Sequence, residues 1–201
     1  MTPLLFSIIS MALIIISYIP YFYGMVKGKT RPNAITWLSW AITVTAISVV
    51  QYFSGGGYAV WPYVLLVVVN ILVFTLAIKN GGRSDIVKMD MICFGVSMLA
   101  FVFWLITRQG DIAMILITIS QFVAFVPTIR KTWNKPLEEN PFTWGVNSLR
   151  WLFMIFAVTE YSIATTSNQI WWAFVYAGAM ILILTRRKIL SSKKKKGGKN
   201  D

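Results

Sequence analysis

Apolar residues run along this chain in seven blocks, at about 4–26, 34–53, 60–78, 87–107, 111–130, 142–160 and 168–185. Short polar or glycine-rich connections separate them. Several blocks approach the roughly 20 apolar residues that cross the hydrocarbon core of a bilayer. Each is longer than a strand needs. In a medium without water every backbone hydrogen bond must close within the segment, so the pattern predicts helices. The expected fold class is therefore an all-α integral membrane protein of seven transmembrane helices.

Composition strengthens this reading. The 201-residue chain is 57% hydrophobic and 13% charged, whereas a soluble domain is about half apolar and about a quarter charged. No stretch outside the blocks is long enough for a separate soluble domain. The first block has no Lys or Arg before it and no small-residue cleavage pattern after it, so it reads as a membrane helix rather than a secretory signal.

Charge then orients the helices. Lys27, Lys29 and Arg31 follow the first block, whereas the next connection, SGGGYAV, has no basic residue. Lys79, Arg83 and Lys88 follow the third block, Arg108 alone the fourth, and Arg130, Lys131 and Lys135 the fifth. The sixth connection is bare and the tail carries eight basic residues, including Lys193 to Lys196. Basic loops stay in the cytoplasm, so the N-terminus is expected outside a cell (inner) membrane and the C-terminus in the cytoplasm. Trp61, Trp104, Trp171 and Trp172 then fall at outer helix ends, where interfacial Trp belongs. The net charge of +12 comes largely from the tail, which reads as a topogenic signal or an attraction to anionic membrane lipid. It does not suggest nucleic acid.

A short phrase occurs twice. NAITW (Asn33 to Trp37) and NPFTW (Asn140 to Trp144) each follow a Pro and a charged cluster, at an offset of 107 positions. At that same offset Pro20 matches Pro127, Thr36 matches Thr143, and Lys79 faces Arg186. Helices 1–3 and 5–7 are thus expected to be copies of one unit. Helix 4 restores the orientation that three crossings would invert, so the copies form a parallel pair about an axis along the membrane normal. The expected organisation is a triple-helix bundle over 1–80, a linker helix over 81–109, a second bundle over 110–188 and a disordered basic tail over 189–201.

This 3–1–3 layout, with a Pro in the inner half of helices 1 and 5 and the stretch VPTIRKTWNKP, resembles the SWEET and PQ-loop (MtN3-like) transporters. Tyr21 and Thr128 stand where PQ-loop proteins have Gln, and Ala34 stands where a second-helix Pro would match Pro141. The resemblance implies alternating access around a central solute site and a substrate-contacting Asn in the third helix of a unit, here Asn70.

Polar residues inside the blocks are the candidate site. Arg150 lies about nine residues into helix 6, where a central Arg costs roughly 2.5–3.5 kcal/mol on insertion scales and so needs a cavity or a partner. It shares a helical face with Thr143 and Asn147. The repeat mates Thr36, Trp40 and Thr43 are expected to face the same central space. Arg150 either binds substrate, favouring a carboxylate or phosphate, or bonds carbonyls, Gln121 or Asn70 across the bundle. Asn70, in an otherwise apolar helix, is interhelical glue or a pocket residue. Gln121 could face the same space, and Gln51 reads as a rim residue. Pro20 and Pro127 interrupt helical hydrogen bonding as a paired hinge, or as static kinks or helix ends. Trp37 and Trp144 are belt anchors or packing plates at an inner gate.

Other chemistry is not visible. The chain has no His and a single Cys, so no metal site, cofactor or internal disulfide is expected, and Cys93 reads as a small apolar filler. The acidic residues Asp85, Asp90, Asp111, Glu138, Glu139 and Glu160 lie at helix ends or in connections, so no catalytic set forms. Gly55 to Gly57 lacks the Lys of a phosphate loop and reads as a flexible turn. The function expected is a uniporter-like facilitator for a small polar solute such as a sugar, organic anion or vitamin. The alternative is a non-transporting receptor or assembly protein on the same scaffold, and either could form a homo-oligomer.

Overall fold

A computed structural model describes residues 2–28, 32–79, 88–137 and 139–197. The candidates Lys29, Arg31, Arg83, Asp85 and Glu138 lie outside the described residues, as does 198–201. The described chain is all helical: α1 Pro3–Val26, α2 Ala34–Phe53, α3 Val60–Lys79, α4 Lys88–Thr107, α5 Gly110–Asn134, α6 Pro141–Phe156 and α7 Ile163–Gly197, with one 3-10 turn at Gly57–Ala59.

Four of these helices, over Pro3–Val26, Ala34–Phe53, Gly57–Lys79 and Ile163–Ser191, are long and apolar enough to cross a membrane. Shorter apolar stretches run over Met91–Thr107 and Gly110–Val126. Large apolar side chains such as Val26, Leu99 and Ile106 stand on the outer surface, a surface suited to hydrocarbon. The interior is correspondingly polar in places, with Gln51, Asn168 and Gln169 fully buried.

The repeated phrase is a helix start. Asn33 caps α2, its Oδ1 accepting from the Ile35 and Thr36 amides at 3.0 and 3.3 Å. Asn140 caps α6 in the same manner, accepting from the Phe142 amide at 3.0 Å. In both copies the Trp amide then makes the first helical bond back to the Asn carbonyl. A capping Asn satisfies amides that a helix start leaves orphaned, which is why the chain spells this phrase at both places.

The helices on either side of α4 share a neighbour pattern. α3 packs on both α1 and α2, and α7 packs on both α5 and α6. Across the middle α1 packs on α6 and α2 on α5, while α4 lies against α5 and α2. Alternate connections gather at opposite ends of the bundle. At one end the Gly55 carbonyl accepts from the Thr159 hydroxyl and the Glu160 amide. There too Asp111 Oδ1 accepts from the Ala164 amide at 2.7 Å, capping α7 from α5. At the other, basic end Arg187 donates to the carbonyls of Pro136 and Glu139, and Arg186 lies over the Trp133 ring.

Several expectations change. The glycine run is a tied turn, with Gly55 and Gly57 at φ of +82° and +57°, and Gly56 donating to the Gln51 carbonyl at 2.8 Å. Positive φ needs glycine, which lets so tight a connection form. α6 ends at Phe156 and α7 starts at Ile163, because Thr165 closes α7's first turn by accepting from the Ser162 amide at 2.9 Å. α7 continues to Gly197, well past the apolar block that ends near 185. Trp104 is buried against Phe101 and Phe53 rather than at the surface. Gln51 is no rim residue: it is fully buried and donates to the Ala164 and Thr165 carbonyls.

Candidate functional site

A cavity of about 240 Å³ lies between the helices. Helical periodicity builds each wall. From α2 come Thr36, Trp40, Val44 and Ile47, spaced three and four apart on one face. α7 gives Asn168, Trp172 and Tyr176 at every fourth position, and α3 gives Tyr63, Leu66 and Asn70. α5 contributes Gln121 and Phe125, α6 Arg150 and Trp151, and α1 Tyr18. Of the expected site residues, Thr36, Trp40, Asn70, Gln121 and Arg150 therefore meet in one chamber.

Much of the polar wall is internally bonded. The Tyr63 hydroxyl donates to Asn168 Oδ1 at 2.8 Å. Asn168 Nδ2 donates to Thr118 Oγ1 at 2.9 Å and to Gln121 Oε1 at 3.0 Å. Trp172 Nε1 donates to the same Gln121 oxygen at 3.2 Å. The network ties α3, α5 and α7 together and leaves Gln121 Nε2 as its free donor. Asn70, only 4% exposed, makes no hydrogen bond with any described residue. It is not glue between helices, and its amide borders the cavity.

Arg150 is the one charged residue on the wall among the described residues. It is 3% exposed, and its guanidinium carbon sits 4.4 Å from the Trp151 ring centroid. Nε and Nη1 have no hydrogen-bond partner, and no carboxylate pairs with the group among the described residues. Among the described residues, Nε and Nη1 do not make the alternative bonds to Gln121, Asn70 or carbonyls. What fixes the position is the backbone, since the Arg150 carbonyl accepts from the Ser10 hydroxyl of α1 at 3.1 Å.

Thr143 and Asn147 do not join this chamber. They line a larger vestibule of about 650 Å³ at the basic end, with Pro20, Tyr21, Glu139 and Trp144. They do share a helix with Arg150, but three and seven residues of helix displace them by about 4.5 and 10 Å along its axis. Asn147 also turns its Nδ2 back to the Thr143 carbonyl at 2.9 Å. Tyr18, Trp37 and Tyr176 border both spaces and form the partition between them. Tyr18 meets Trp37 edge-on at 6.3 Å between centroids, and Tyr176 packs on Trp144 at 5.4 Å. Trp37 and Trp144 thus each pack against an aromatic ring of another helix. Pro20 lies inside α1, which continues to Val26, so it is not a helix end. Pro127 falls inside α5, and its side chain is outside the described ones.

A third, small space of about 30 Å³ is lined by Thr43, Cys93, Ser97 and Ser120 between α2, α4 and α5. At the glycine-turn end, a depression bordered by Ser54, Arg108 and Asp111 shares no lining residue with the central cavity. Gln51, one turn beyond Ile47 on α2, closes that side with its bonds to α7.

Sequence reasoning missed Tyr18, Tyr63, Asn168, Trp172 and Tyr176. The four-residue rhythm of Asn168, Trp172 and Tyr176 was the available signal, and it was hidden because Trp172 suited an interfacial anchor. Trp172 is instead 3% exposed and part of the cavity wall. Compared with protein-family models, curated proteins and solved structures, the chain matches none.

Proposed function

We propose that the chain is a membrane transporter, a uniporter-like facilitator that carries a small polar solute by alternating access. In this reading seven helices cross a cell membrane as two pseudo-symmetric bundles, 1–80 and 110–188, with α4 as the linker and the basic end in the cytoplasm. It keeps the resemblance to SWEET and PQ-loop transporters as its organising idea. The observation that carries it is Arg150, a buried cation with no carboxylate partner among the described residues and with Nε and Nη1 unbonded, beside a cavity large enough for a solute. A charge in that position is costly unless something enters to meet it. The stacking of chamber, aromatic partition and vestibule supports access from the basic end, with the glycine-turn end closed. Pro20 and Pro127, both inside helices beside the basic end, are the proposed hinges.

Counterflow in proteoliposomes tests the reading. Liposomes preloaded with unlabelled solute should accumulate labelled solute transiently, and Arg150→Leu should abolish this while the protein still inserts and stays monodisperse. Binding without exchange would favour a receptor on the same scaffold.

A further inference from the structure

The composition of the central cavity goes beyond "small polar solute". Eight of its sixteen lining side chains are aromatic, and one is charged. Among the described residues no Asp or Glu borders it, and the chain has no His. A cationic solute would meet Arg150 with nothing to offset the repulsion. A neutral solute would leave the guanidinium unpaired, and a dianion would bring a second charge with no counterpart. One negative charge balances the chamber.

Shape narrows the class further. The guanidinium has one face against Trp151, so its in-plane N–H groups are what remain for a ligand, and a carboxylate matches that fork. The walls beside it are flat. Tyr63 and Trp151 are 5.8 Å apart between centroids, and Trp151 and Trp172 stack at 6.5 Å with an interplanar angle of 23°. Such faces favour offset or edge contact with another ring. A cavity of about 150 Å³ holds benzene, so about 240 Å³ admits one or two fused rings with a carboxylate arm. Asn70 and the Nε2 of Gln121 are left to meet a ring substituent.

We infer that the central cavity is a site for a planar aromatic monocarboxylate, its carboxylate on Arg150 and its ring among Trp40, Tyr63, Trp151 and Trp172. This rests on the reading of that cavity as a solute site and specifies what the site selects.

Isothermal titration of the full chain in lipid nanodiscs tests the inference on the unaltered protein. Benzoate and indole-3-carboxylate are the probes, with benzamide, cyclohexanecarboxylate, phthalate and glucose as controls. The aromatic monocarboxylates should bind at least about tenfold more tightly than every control. Equal or tighter binding of any control overturns the inference, as does no binding by either probe. Arg150→Gln should erase the preference for benzoate over benzamide while the protein stays monodisperse and keeps its thermal melt, which a misfolded variant would not do. Counterflow separates the two claims. Benzoate that binds but does not exchange defeats transport and leaves the site assignment. Exchange of glucose without benzoate binding defeats the assignment and leaves transport.

Discussion

The Tyr63 hydroxyl and the Asn168 amide oxygen, 105 residues apart, are joined by a buried hydrogen bond of 2.8 Å. It links α3 to α7 on the wall of the central cavity. Through Asn168 the bond continues to Thr118 and Gln121, so one contact orders polar groups on three helices. Tyr63→Phe keeps the ring and removes only the donor. Buried bonds of this kind in membrane bundles average about 0.6 kcal/mol, so the variant should lose about 1–2 °C in Tm. A loss several times larger would show that the network holds α3, α5 and α7 together.

Arg150 separates function from stability. An unpaired buried charge is a liability to the fold, so Arg150→Leu should hold or raise Tm while solute flux disappears. The measurement is a thermal melt in detergent beside the counterflow assay. A marked drop in Tm would assign the guanidinium a structural bond and remove it from the solute site.

The aromatic partition can be probed by chemistry. With Cys93→Ser as background, Asn70→Cys puts the only thiol on the cavity wall. Trp37→Ala should speed its labelling by a charged thiol reagent several-fold from the basic end, because Trp37 borders both chamber and vestibule. Labelling that Trp37→Ala leaves unchanged would mean that the two spaces communicate by another route.

The equivalent caps make a paired test. Asn33→Ala and Asn140→Ala each remove the side-chain acceptor at a helix start, which costs about 1 kcal/mol. The double variant should be additive within about 0.5 kcal/mol, since each cap accepts from amides of its own helix. Reversible unfolding in mixed micelles reads all three, and strong coupling would contradict two independent caps.

The sequence by itself determined the helices. Where an apolar run starts and stops depends on local chemistry: the capping Asn33 and Asn140, the glycines that turn with positive φ, and the length that hydrocarbon imposes. It also marked Arg150, because a charge inside an apolar run is conspicuous whatever surrounds it. What only the tertiary structure decided is which polar residues share a chamber. A helical wheel gives the face of Arg150, Asn147 and Thr143 but not their depth, and depth put Arg150 in the cavity and the other two in the vestibule. Trp104 and Trp172 looked alike as helix-end aromatics. Crossing helices buried one among phenylalanine rings and stood the other on the cavity wall. Cavities are the space that packed helices leave between them, so their lining depends on contacts made by residues far apart in the chain.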